Sequence, residues 1–106
     1  MSDSGRLAAL ERMLEKRPED TRLRFGIALE YLKAGRTEDG VRELRRYLDE
    51  AEDEGNGWGR LGAALDELGR HDEATEAFRR GVEAAEMNGH PTMAEEFREV
   101  LEGRDG

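Results

Sequence analysis

Two stretches of this chain have the residue types and spacing that chemistry needs. Gly57-Trp58-Gly59-Arg60-Leu61-Gly62 spells G-x-G-x-x-G, the spacing with which a turn between strand and helix cradles a pyrophosphate. That chemistry requires a strand before the first glycine, so that the phosphates meet a helix N-terminus. Here an acidic helical segment precedes it, and an incoming anion would face Asp53 and Glu54. These glycines read as turn and packing residues. The second stretch, Asp49, Glu50, Glu52, Asp53 and Glu54, has the carboxylate density of a calcium loop. A loop opening at Asp49 would need an oxygen ligand at Ala51 and a glycine at Glu54, and it has neither. The run reads instead as a solvated helix end. Acids at a helix C-terminus oppose the dipole, so this end is expected to fray or to meet a basic partner.

The two histidines, His71 and His90, stand in turns. Neither has a second ligand at metal spacing on one helix face. Ser2 and Ser4 lie in an N-terminal tail with no histidine base beside them, so a serine nucleophile is not supported. The 26 Asp and Glu make pairs of carboxylates common by number alone. The expectation is a protein that is not an enzyme and carries no cofactor and no catalytic or metal site.

Composition narrows the partners. The chain has 106 residues, 41% of them charged, and a net charge of −9. Phosphate contacts need clustered Lys and Arg, so nucleic acid is not expected; nor is an anionic membrane surface. There is no cysteine, which excludes disulfides and thiol chemistry. The N-terminus MSDSGR lacks the basic and apolar regions of a signal peptide, and no apolar run reaches the length of a membrane span. A cytoplasmic home is the default expectation. Fifteen arginines stand against only Lys16 and Lys33, a bias that GC-rich codons or a salty cytoplasm would each produce.

Apolar spacing at three and four residues indicates helices throughout and no alternating strand pattern. Ser2, Asp3 or Ser4 can cap a first helix running to about Arg17, with Leu7, Leu10, Met13 and Leu14 as its stripe. Pro18 stops it. A second helix starts near Glu19, with acids in its first turn, and ends at Gly35. Thr37 is the expected cap of a third, with Val41, Leu44, Tyr47, Leu48 and Ala51. Trp58, Leu61, Ala64, Leu65 and Leu68 mark a fourth, ending at Gly69. Asp72 caps a fifth, with Ala74, Ala77, Phe78, Val82 and Ala85. Thr92 caps a last helix with Met93, Phe97, Val100 and Leu101 that ends at Gly103. Helices that pack closely need small residues where backbones approach. Ala28, Gly62 and Ala74 supply that space, and Leu44 and Phe78 fill it.

Trp58, Leu61, Gly62, Leu65, Ala74 and Phe78 form W-x2-L-G-x2-L followed by A-x3-F, which resembles the tetratricopeptide repeat, a helix-turn-helix unit of about 34 residues. Thirty-four residues earlier, Ile27, Ala28, Tyr31, Gly35, Gly40, Leu44 and Leu48 fall in the slots of Leu61, Gly62, Leu65, Gly69, Ala74, Phe78 and Val82. Leu10 and Leu14 continue the second-helix pattern, and Pro18 stands where the family places its proline. The chain departs from the family at Arg24, in the tryptophan slot, at Gly40 and Gly81, in alanine slots, and at Glu52 and Glu86, where a proline would end each repeat. The resemblance implies an all-α, right-handed α-solenoid in a single domain, 1–106. It comprises a half repeat over 4–18, repeats over 21–54 and 55–88, and a closing helix over 91–103. It also implies a scaffold for protein–protein interaction.

The second helix carries two apolar stripes on a helical wheel. Ile27, Ala28, Tyr31 and Ala34 match the repeat core. Phe25, Leu29 and Leu32, flanked by Arg22 and Arg36, lie on roughly the opposite side. In the family the first helix of each pair lines a concave groove, and the second stripe falls on that side. The slots of Arg22, Phe25, Leu29 and Leu32 recur in the fourth helix as Asn56, Gly59, Ala63 and Asp66, with Arg60 as a further cation. The implied partner site is therefore Arg22, Phe25, Leu29, Leu32, Asn56, Arg60, Ala63 and Asp66. Phe25 and Leu29 stand where some family members use lysine and asparagine to grip a C-terminal carboxylate, so that activity is not expected. Three occupants stay open for the stripe: a peptide or helix of another protein, a second copy of the chain meeting it through Met93 and Phe97 as a homodimer, or the chain's own first or last helix.

Overall fold

The computed structural model describes residues 2–105, with side chains from Gly5 to Arg104. Its elements are six helices: α1 (Ser2–Lys16), α2 (Thr21–Lys33), α3 (Thr37–Glu50), α4 (Asn56–Glu67), α5 (His71–Met87) and α6 (Pro91–Asp105). They group into two compact units, Met1–Ala51 with α1 to α3 and Glu52–Gly106 with α4 to α6.

Helix ends repeat one device. The backbone after α2, α4 and α5 turns at Gly35, Gly69 and Gly89, whose φ values of 81°, 77° and 75° are left-handed and favour glycine. The next N–H then reaches back to a carbonyl in the last turn: Arg36 to Tyr31 at 2.9 Å, Arg70 to Leu65 at 2.9 Å and His90 to Ala85 at 2.8 Å.

The helix starts differ from expectation. Thr37 and Asp72 lie inside the first turn of α3 and α5, and neither helix has a side-chain cap. The preceding residues, Arg36 and Arg70, instead pair with Asp39 at 2.8 Å and Glu73 at 2.7 Å, acids that also favour the positive end of the helix dipole. Asp20 is the N-cap of α2, accepting from the Arg22 and Leu23 N–H groups, and the first turn beyond it holds no acid. At α6, Pro91 takes the first helical position, where its missing N–H is no loss, and displaces Thr92 as the start; the helix runs past Gly103. The side chains of Ser2, Asp3 and Ser4 lie outside the described residues.

In the first unit, Leu7, Ile27 and Tyr31 form a buried cluster with Leu10 and Leu14 packed against it. Ala28 and Leu44 are fully buried. In the second, Leu61, Leu65, Ala74, Ala77, Phe78, Ala85 and Ala94 are buried. A Cβ on Gly62 would stand 2.7 Å from the Phe78 ring, so the glycine is where the large side chain fits, as its spacing indicated.

Candidate interaction surface

The position that departs most from the repeat pattern, Arg24, is buried at 6% exposure. Its guanidinium lies 3.0 Å from Glu43 and 3.4 Å from Glu50, both on α3. Glu43 and Glu50 are seven residues apart and so share one helix face. The ion pairs clamp α2 to α3. The same helix is tied to α1 by Glu30, which accepts from Arg6 at 2.9 Å, and by the Tyr31 hydroxyl, which donates to Glu11 at 3.1 Å.

On this fixed helix Arg22 is exposed, and Phe25, Leu29 and Leu32 are half-buried. Phe25 stacks at a 39° tilt against Tyr47 of α3, with centroids 4.8 Å apart. Leu32 sits where a Cβ on Gly40 would be. The glycine in the family's alanine slot thus makes room for a member of the stripe. Phe25 and Leu32 both lean on α3, and Leu29 lies between them along the helix.

The other candidate residues are on α4. Asn56, Arg60 and Ala63 are exposed. Asp66 is engaged: Arg104 of α6 donates to its Oδ2, and His71 Nδ1 lies 2.9 Å from its Oδ1. Burial pushes the Asp66 carboxyl up, but the hydrogen bonds and charges of Arg104 and His71 outweigh it and hold the group below the ordinary carboxylate range. A depressed folded pKa stabilises the fold above the unfolded value of about 3.9, and that contribution is lost as pH falls through the lower folded value. Wild-type stability is therefore expected to fall below about pH 4, and Asp66→Asn is expected to flatten that limb. Urea midpoints from pH 5 down to 2 check it; parallel curves for the two proteins would contradict it.

Met93 and Phe97, expected as a route to a second copy, are engaged within their own unit. A Cβ on Gly59 would stand 2.6 Å from the Phe97 ring, and one on Gly81 would stand 2.9 Å from it. The Met93 sulfur similarly covers Gly55 at 2.7 Å. Mid-helix glycines at Gly59 and Gly81 leave the space that turns the α6 stripe inward.

Asp49, Glu50, Glu52 and Glu54 are exposed at and just beyond the end of α3, as a solvated helix end would be, but three acids of the run have partners within the chain. Glu50 pairs with Arg24, and Glu54 lies 2.6 Å from His90 Nε2. One oxygen of Asp53 accepts from the Gly55 N–H at 2.9 Å, the Gly57 N–H at 2.8 Å and the Trp58 N–H at 3.4 Å. The chain's own carboxylate thus holds the α4 N-terminus, where the G-x-G-x-x-G spacing would have placed a phosphate. Among the described residues no group of three or more His, Cys, Asp or Glu could hold a metal ion, and no helix is long and apolar enough to cross a membrane.

The glycine turns at Gly35 and Gly69 and the arginine–acid starts of α3 and α5 recur 34 residues apart along a run of six helices, which defines a helical-repeat protein. A tetratricopeptide repeat model matches residues 1–85. The TPR repeat-containing protein PA0015 of Pseudomonas aeruginosa is 30% identical over 99 residues, which cover 93% of this chain and 94% of that protein. The chain belongs to the tetratricopeptide repeat family, an all-α solenoid class that serves as a protein-interaction scaffold. Among solved structures, MamA of AMB-1 in its P212121 crystal form superposes with a TM-score of 0.67 at 24% identity, over 93% of this chain and 62% of that one. MamA of MSR-1 in its C2 form gives 0.66 at 23% identity, over 99% and 70%. The chain spans less than two thirds of the first of these, and at these identities the likeness is one of fold.

Proposed function

We propose that this protein is a non-enzymatic, cytoplasmic adaptor that captures a peptide or helix of a partner protein in a concave groove. The α2 face of Arg22, Phe25, Leu29 and Leu32 forms its apolar wall. Within the second unit, Asn56, Arg60, Ala63 and Asp66 of α4 offer a more polar face. The observation that carries this reading is the α2 stripe. It keeps three large apolar side chains only half-buried on a helix pinned by a buried arginine and two glutamates. A fixed helix with a partly open apolar face binds at low ordering cost. Because Leu32 fills the space over Gly40, it has a packing role, and Phe25 and Leu29 carry the contact. An apolar wall suits an apolar side chain or an amphipathic helix rather than a charged tail.

The test is Phe25→Ser/Leu29→Ser. The double variant is expected to keep its helical circular dichroism while partner affinity falls at least tenfold, more than about 1.4 kcal/mol. Loss of the fold would show the stripe to be core. Sedimentation at several concentrations separates the second reading, a self-associating module: a wild-type dimer that the double variant abolishes would place a second copy on the same face.

A further inference from the structure

The two repeats differ at one slot, and in one of them a cleft opens beside it. Thirty-four residues separate Arg24 from Trp58, Glu43 from Ala77 and Arg46 from Arg80. In the second unit the slot holds the Trp58 ring, whose centroid lies 5.4 Å from the Arg80 guanidinium, and Ala77, in the slot of Glu43, is buried at 3% exposure. In the first unit Arg24 turns to Glu43 and Glu50, its side chain 7% exposed. There a cleft of about 490 Å³ opens between α1, α2 and α3, walled by Leu14, Pro18 and Ile27 and bordered by Glu11, Glu15 and Arg46.

We propose that this cleft receives a tryptophan side chain presented by a partner polypeptide. Its volume lies within the range of pockets that bury small organic groups. Half-buried Leu14 and exposed Pro18 offer apolar surface for an indole to cover, above the buried Ile27. Arg46, the equivalent of Arg80, stands ready to cover the ring face by the cation–π contact that the second repeat makes internally. The carboxylates of Glu11 and Glu15 are acceptors for the indole N–H, which a phenylalanine or leucine would leave unused. An anionic ligand would meet Glu11, Glu15 and Glu43, and a bare cation would meet Arg24 and Arg46. This site is separate from the Phe25 and Leu29 face, and its test does not depend on that reading.

The experiment is an NMR titration of the full 15N-labelled chain with N-acetyl-tryptophanamide and, as control, N-acetyl-leucinamide. Saturable shifts are expected at the amides of Leu14, Arg24, Ile27 and Arg46 with the tryptophan probe and not with the leucine probe. Arg46→Ala is expected to weaken binding about two- to fivefold. Arg24→Trp/Glu43→Ala copies the Trp58 and Ala77 pattern, so its own indole fills the cleft and the shifts disappear. Equal shifts with both probes, no shifts at the solubility limit, or full binding by the folded Arg24→Trp/Glu43→Ala variant would each overturn the proposal. Should that variant fail to fold, unweakened binding by Arg46→Ala, a change at an exposed position, overturns it as well.

Discussion

Phe78→Ala is expected to destabilise the protein by about 3–5 kcal/mol. The ring is 6% exposed and lies against Gly62, which has no side chain to move into the void. It also meets the Phe97 ring at 5.8 Å and the Arg104 guanidinium at 5.5 Å. Truncation removes the apolar burial and leaves a cavity whose glycine wall cannot collapse, the situation in which large-to-small changes cost most. It also loosens α6, because Phe97 and Arg104 both belong to that helix. Urea unfolding followed by circular dichroism measures the loss as a lower midpoint. A change under about 1 kcal/mol would show that the ring is not at the centre of the second unit.

Arg24→Leu is expected to cost a similar amount, about 3–5 kcal/mol, for a different reason. It removes the nearer cation from Glu43, whose side chain is only 13% exposed and keeps only Arg42 at 3.9 Å, and a poorly compensated buried charge is more damaging than a missing contact. Glu50 suffers less, because at 49% exposure it can hydrate. Arg24→Leu/Glu43→Leu removes both charges, and its cost is expected to fall below that of either single change, since replacing a buried pair by apolar groups is often near neutral. A double-mutant cycle over the four proteins reads this coupling. Strictly additive losses would mean that the ion pair does not hold α2 to α3.

The helices and the repeat were legible because they rest on local rules. Apolar spacing, Pro18 and the glycines at positions 35 and 69 mark segments wherever they occur. Gly62 and Phe78 were legible as a packing pair because the repeat pattern places one against the other. What escaped depended on partners distant in sequence. Arg24 was visible as a departure from the tryptophan slot, but its burial requires Glu43 and Glu50 on the facing helix; their seven-residue spacing was the available signal. The carboxylate of Asp53 was read as a solvated helix end, whereas it reaches forward across a glycine turn to the start of α4. Thr37 and Asp72 have the composition of caps, yet Arg36 and Arg70 take the N-cap positions and pair with acids three residues on. Met93 and Phe97 could be placed on a stripe but not turned inward, because Gly55, Gly59 and Gly81 that admit them lie on other segments.

On the proposed function, the α2 face contacts another polypeptide. Site-specific photocrosslinking in the native host tests it most directly, with a photoreactive phenylalanine at Leu29 and, for control, at exposed Glu83. A discrete adduct with a different protein is expected from position 29, suppressed by the Phe25→Ser change and absent from position 83. The same adducts from both positions, or none from position 29, would contradict it.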